Sequence, residues 1–371
     1  MKIKEIFRMK KIIFILLTNF LGILLSLYLF EFFLQLYVSK YPCTDFIPHF
    51  KRCSPPGENK FTWGHLVVNN KYGFRERDFV VPKPSDVFRI MVLGDSLTWG
   101  AGLDEKERYT NLLELYLNDY FSNQNLKKRI EVLNFGISGG PTTVERDILK
   151  NYKDLVQPDL IIVGFCLNDP QPKSQDWTPE KEKVDKLLSK LLNPLQKLLS
   201  FIGLHGTGVF ISKTIYALLE KLGVFPPWYV GLERVYDKDS MEWKEFEKAL
   251  KDIREMSDEM GLPPPIFAVL NQGVYTDRPT DYNNPDEMLK LYFKWYRQAE
   301  DTAKKIGFLT CNFEKEIASE LPNKILAVNK FDGHPSAELN RVYAKKIFEL
   351  IITNYNDYII KKLERGGSYD R

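Results

Sequence analysis

The chain has 371 residues, of which 44% are hydrophobic and 27% charged, and its formal net charge is +3. This is the composition of a globular protein long enough to bury a sizeable core. The near-neutral balance leaves no basic face for nucleic acid, and no internal repeat or low-complexity tract interrupts the chain.

The N-terminus departs from that average. Lys2, Lys4, Arg8, Lys10 and Lys11 precede an apolar run over 12–30, which resumes after Glu31. About 20 apolar residues span a bilayer, whereas a cleavable signal has an apolar region of about 7–15. The basic flank belongs on the cytoplasmic side. Residues 1–41 therefore read as a cytoplasmic flank and a single-pass signal-anchor, with the rest of the chain periplasmic or at the cell surface. A buried core helix is the other reading.

Residues 42–86 form a Pro- and Gly-containing juxtamembrane segment that includes Cys43 and Cys53. In an oxidising compartment their closeness allows a Cys43–Cys53 disulfide, with two free thiols as the alternative. Cys166 and Cys311 lie in apolar runs and read as ordinary buried residues. No cysteine–histidine spacing points to a metal.

From residue 87 onward apolar runs alternate with helical patterns. Strands are expected over 88–93, 130–134, 160–165, 266–270 and 308–313. Helices are expected over 109–121, 144–152, 241–260, 288–305 and 336–354. Strands alternating with helices predict an α/β fold, a doubly wound parallel sheet of about five strands flanked by helices. Residues 173–240 exceed what a crossover needs. Leu187, Leu188, Leu191, Leu192, Leu195, Leu198 and Leu199 make a helical stripe there, which Pro194 is expected to break or kink. A second helix is expected over 209–222. Packing on the body, a lid and contact with a membrane surface are the three readings of this insertion.

The chemistry is carried by short motifs. The strand over 88–93 runs into Gly94-Asp95-Ser96-Leu97, placing a serine at the carboxyl end of a strand, where open α/β sheets build their sites. A serine hydroxyl needs a base. His49, His65, His205 and His334 are the four histidines, and His334 alone follows an aspartate within Asp332-Gly333-His334-Pro335. Gly136-Ile137-Ser138-Gly139-Gly140 also fits Gly-x-Ser-x-Gly, which would make Ser138 a nucleophile on an elbow. That reading leaves Gly94-Asp95-Ser96 without a role.

Gly94-Asp95-Ser96-Leu97 resembles the first signature block of the SGNH (GDSL) hydrolases, a family of esterases, lipases and carbohydrate deacetylases. Asn134-Phe135-Gly136-Ile137-Ser138-Gly139 is similar to the second block, Asn168-Asp169 to the end of the third, and Asp332-Gly333-His334-Pro335 to the fifth. The run Asn70-Lys71-Tyr72-Gly73-Phe74-Arg75 resembles a segment that precedes the first block in membrane-anchored bacterial members. The resemblance implies a hydrolase domain over 87–371, with Ser96 as nucleophile, His334 as base and Asp332 as its orienting acid. It further implies an oxyanion hole of the Ser96 and Gly136 backbone N–H groups and the Asn168 side chain. Asp95, Asn134 and Asp169 are assigned to supporting hydrogen bonds. Two departures stand out: Asp332 lies two residues before the histidine where three is usual, and Cys166 replaces a glycine two residues before Asn168.

The expected activity is hydrolysis of acyl esters, acetyl among them, on glycans, lipids or envelope components. No cofactor and no nucleic-acid partner are implied. Acyl transfer from the same acyl-serine, lipase or phospholipase action, and a catalytically inactive glycan-binding or assembly protein are the alternatives.

Overall fold

The computed structural model describes residues 2–38, 60–123, 129–171, 179–224, 228–330 and 332–365. Cys43, Cys53 and His49 lie outside them. The chain forms two compact units. One comprises Met1–Cys53 and Thr178–Pro227, the other Ser54–Trp177 and Trp228–Arg371.

In the first unit, α1 (Lys2–Val38) is followed in space by two helices of the insertion, α5 (Pro179–Phe201) and α6 (His205–Lys221). The stretch Arg8–Tyr37 is long and apolar enough to cross a membrane. Pro194 does not end α5, which runs through it. A proline removes one donor from the ladder, and here α5 continues for fifteen residues before Pro194 and seven after it.

The second unit begins with a hairpin of β1 (Lys60–Thr62) and β2 (His65–Val67). Its elements then follow in the order β3 (Val87–Gly94), α2 (Ser96–Trp99), α3 (Tyr109–Ser122), β4 (Arg129–Gly136), α4 (Thr142–Val156) and β5 (Leu160–Phe165). After α6 come α7 (Trp228–Val235), α8 (Met241–Glu259), β6 (Ile266–Val269), α9 (Glu287–Ile306), β7 (Leu309–Asn312) and α10 (Glu314–Glu320). A second hairpin, β8 (Ala327–Asn329) and β9 (Asp332–Pro335), leads into α11 (Ala337–Arg365).

Five strands form one parallel sheet in the order β4-β3-β5-β6-β7. The central strands are mostly apolar because helices cover both faces; every residue of β3 and β5 is buried, Arg89 of β3 being paired with Glu131 at 2.7 Å. Right-handed crossovers put α3 on one face and α4, α8 and α9 on the other, with α11 packed on α3 and α4 on α8. The connection from β3 runs outward to β4, and the next returns past it to β5. The crevice at that reversal, outside the carboxyl ends of β3 and β5, is where such sheets bind ligands.

Residues 70–77 belong to the second unit. Asn70, Arg75 and Glu76 are buried. Arg75 donates to the carbonyls of Gly100 (2.6 Å) and Leu103 (2.7 Å), and Glu76 accepts the Asn134 N–H at 3.0 Å. The segment thus braces both the loop after α2 and the end of β4.

Candidate active site

Ser96 is the first residue of α2, a single helical turn that starts where β3 ends. Asp95 caps it, its carboxylate accepting the Leu97 N–H at 2.8 Å and facing the Ser96 hydroxyl at 3.2 Å. The turn lies so tightly on the sheet that two positions must be glycine. A Cβ at Gly94 would lie 2.0 Å from Thr98 Oγ1, and one at Gly164 2.4 Å from the same atom. Thr98 in turn is hydrogen-bonded to the Tyr109 hydroxyl at 2.8 Å. Gly94 is therefore set by packing, which fixes where Ser96 points.

His334 arrives from β9. Its Nε2 lies 2.8 Å from Ser96 Oγ, and its Nδ1 is hydrogen-bonded to Asp332 Oδ1. The spacing of two is explained by the strand: residues i and i+2 project from the same face, so Asp332 and His334 stand side by side. The His334 backbone N–H also donates to Asp332 Oδ1 at 2.9 Å. The other carboxylate oxygen accepts the indole N–H of Trp63.

Trp63 carried no signal in the sequence. It forms the β1–β2 turn with Gly64, both at positive φ (48° and 94°), the backbone of a primed two-residue turn. A tryptophan held there is strained, and its side chain ends on the carboxylate behind the histidine.

The electrostatics follow from these contacts. Burial disfavours a charged His334, but the hydrogen bond and charge of Asp332, with the charge of Asp95, outweigh it and hold the imidazole above its ordinary value of 6.5. Burial pushes the Asp332 carboxyl up, yet the His334 contacts and Trp63 bring it below the usual range. For Asp95 burial wins, and its carboxyl is raised despite the Leu97 N–H and the bonds from Ser96 and Asn168.

Asn168 is buried beside them, on the loop after β5. Cys166 Sγ lies 2.8 Å from Asn168 Oδ1, so the thiol donates to the amide oxygen. The Asn168 amide reaches the Asp95 carboxylate. The residue in the glycine's place thus fixes which way the amide faces. Asp169 holds the same loop, accepting the Cys166 N–H at 2.9 Å. Burial raises its carboxyl well above the usual range, as it does that of buried Glu145 on α4, a neighbour the motifs did not reveal. Asn134 is fully engaged, donating to the Thr98 carbonyl (2.6 Å) and to Thr110 Oγ1 (3.0 Å).

One expectation requires correction. The Gly136 N–H donates to Asn134 Oδ1 at 2.9 Å and so is not free for an oxyanion. Gly136 is a glycine because a Cβ there would lie 2.5 Å from the Trp99 backbone nitrogen. The next N–H groups of the loop are also used: Ile137 bonds the Gly94 carbonyl and Gly140 the Ile137 carbonyl, both at 2.9 Å. Among the described residues this leaves the Ser138 and Gly139 N–H groups open, on an exposed stretch with Gly139 at φ +73°. No histidine bonds the Ser138 hydroxyl among the described residues.

A buried serine, an imidazole and a carboxylate joined in one hydrogen-bonded line meet the requirements of acyl transfer. Residues 90–261 match the family of GDSL-like lipases/acylhydrolases. The chain carries a GDSL-like acylhydrolase domain. Among solved structures it is similar to Axe2, an acetylxylan esterase from Geobacillus stearothermophilus, at 16% identity and TM-score 0.38, covering 71% of this chain and 94% of that one. It is similar to the psychrotrophic esterase EstA from Pseudoalteromonas sp. at 15% identity and TM-score 0.38, covering 72% and 98%. TesA gives 11% identity and TM-score 0.38 over 71% and 97%. No curated protein sequence matches the chain.

Proposed function

We propose that the protein is a membrane-anchored, extracytoplasmic serine esterase acting through Ser96, His334 and Asp332. The observation that carries this reading is the hydrogen-bonded line from Ser96 Oγ through both His334 nitrogens to Asp332. Ser96 Oγ attacks the ester carbonyl carbon as its proton passes to His334 Nε2. Asp332 holds Nδ1–H and stabilises the imidazolium that forms. The oxyanion is met by the Ser96 N–H, the Asn168 amide and, in place of Gly136, an open N–H of the Ser138–Gly139 loop; removing one such donor costs roughly 3 kcal/mol of transition-state stabilisation. His334 returns the proton to the leaving alcohol, and the acyl group stays on Ser96. Water then repeats the attack with His334 as base and releases the carboxylic acid.

The apolar helix over Arg8–Tyr37, preceded by a basic flank, supports the anchor and an active unit outside the cytoplasm. An ester on an envelope glycan or lipid is the substrate class that such a tether presents, and a small acyl group such as acetyl is the favoured one. The test is hydrolysis of acetyl, butyryl and octanoyl esters and of an acetylated oligosaccharide by the full-length protein in detergent. The reading expects release of acid from the acetyl substrates, abolished in Ser96→Ala. Turnover confined to long chains would favour lipase action, and acyl transfer to added sugar in preference to water would favour an acyltransferase.

A further inference from the structure

The first unit contains a contact that neither the esterase chemistry nor a simple tether requires. Glu31 follows the apolar run over 12–30, whose 19 helical residues measure about 28 Å, close to the thickness of a bilayer's hydrocarbon core. A carboxylate at that depth is costly unless paired, and Glu31 is buried and fully used. One of its oxygens accepts the Gly206 N–H at 2.9 Å and the Gln35 amide at 2.7 Å. The other accepts the Thr207 N–H at 2.6 Å and the Thr207 hydroxyl at 2.7 Å. The N-terminus of α6, with its open N–H groups and positive dipole end, is thereby capped by a side chain of α1.

The fit is close enough to dictate a glycine. A Cβ at Gly206 would lie 2.8 Å from Gln35 Nε2 and 3.1 Å from Leu34 Cδ2. The Tyr28 hydroxyl donates to the Ile202 carbonyl at the end of α5 (2.7 Å), and Phe30 meets Phe210 edge-on at 5.2 Å. The α5–α6 hairpin is thus fixed to the outer end of α1 by both of its inner helix ends.

What this hairpin leaves uncovered is apolar. Leu187, Leu191, Leu195, Leu198, Phe201 and Ile202 are exposed, Phe201 at 88%. At 100° per residue the five within α5 fall on one side of it, and Ile202 follows just beyond its end. Lys183, Lys190 and Lys197 recur at seven-residue intervals and line the edge of the stripe, also exposed. An apolar stripe edged by lysines is the pattern of a helix lying in a membrane interface, its long cations reaching up to anionic headgroups.

We infer that the α5–α6 hairpin, locked to α1 by Glu31 and Gly206, seats the apolar face of α5 in the outer interface of the bilayer that α1 spans. This rests on the anchor reading of α1. The C-terminal end of this face is held at α1 by the Tyr28–Ile202 bond, and its lysine edge complements an anionic lipid surface, so the occupant is lipid. The protein would hold the membrane by two helices, α1 and α5, with α6 joining them.

The experiment uses the full-length protein with Cys43→Ser and Cys53→Ser, leaving buried Cys166 and Cys311. Leu191→Cys, Phe201→Cys, Asn193→Cys and Leu16→Cys are added singly and labelled with an environment-sensitive fluorophore. The labelled proteins are reconstituted into phosphatidylcholine–phosphatidylglycerol vesicles with brominated acyl chains. The inference expects the probes at Leu191 and Phe201 to be quenched at least about twofold more than the probe at Asn193 on the opposite face. Quenching at Leu16 alone, with Leu191 and Phe201 no different from Asn193, overturns the inference while the anchor stands. Shielding of Leu191 and Phe201 from water without bromine quenching, as a second protein copy would give, overturns it too. Absence of quenching at Leu16 removes the anchor reading and this inference with it.

Discussion

The two halves of the candidate active site are built on different foundations. Ser96 and its neighbours rise from a five-stranded sheet buried on both faces, where Gly94, Gly164, Thr98 and Tyr109 leave no alternative packing. Asp332 and His334 sit on a two-stranded hairpin whose residues are partly exposed, with side chains 15% and 24% accessible. The proposed nucleophile is positioned by the core, the proposed base by a few hydrogen bonds. Changes on the first half should therefore cost stability along with activity, and changes on the second half activity alone.

The largest effect expected is on the base. His334→Ala should lower kcat by about 10,000-fold or more, while thermal melting stays near that of the parent. A large fall in melting temperature would mean that the hairpin is a structural element and break the contrast. Gly94→Ala should do the opposite. Its methyl has no room against Thr98, and overpacking of this kind costs about 1–3 kcal/mol, visible as a clear drop in denaturation midpoint.

Asp332→Asn should lower kcat by as much as about 10,000-fold and also move the pH profile. His334 works as a base only when neutral, so kcat/KM rises with pH as the imidazole loses its proton. Asp332 holds that imidazole above its ordinary 6.5, which places the acid limb above pH 6.5 in the parent. Removing the charge moves the limb to lower pH. An unshifted limb in this variant would show that Asp332 does not govern the histidine.

The smallest effect belongs to Trp63→Phe, which deletes one donor to the Asp332 carboxylate. A hydrogen bond to a charged group contributes about 1.5–3 kcal/mol. Part of that reaches the transition state, so kcat/KM should fall roughly tenfold with little loss of stability. No change in kcat/KM would make Trp63 a turn residue only.

Legibility in the sequence followed the same division. The five strands lie within about two residues of their expected bounds, because runs such as 160–165 are apolar on both faces and short. The proposed base was readable only as a local string, Asp332-Gly333-His334-Pro335, and it lies beyond the segment 90–261 that matches the family. The hairpins β1–β2 and β8–β9 were missed because strands of three or four residues carry no periodic signal. The end of α11 extended past 354 because its last turns are polar on one face and gave no stop. Trp63 was invisible since its contact with Asp332 spans the chain. The Gly136 assignment failed for a related reason: a motif names a glycine, but only the structure shows that Asn134 already uses its N–H.

The central claim is that Ser96 is the activated nucleophile. Full-length protein in detergent is treated with a fluorophosphonate, which traps activated serines as covalent adducts, and the modified peptide is mapped. The account predicts an adduct on Ser96 that is lost in His334→Ala. An adduct on Ser138, or none on a folded protein, would contradict it.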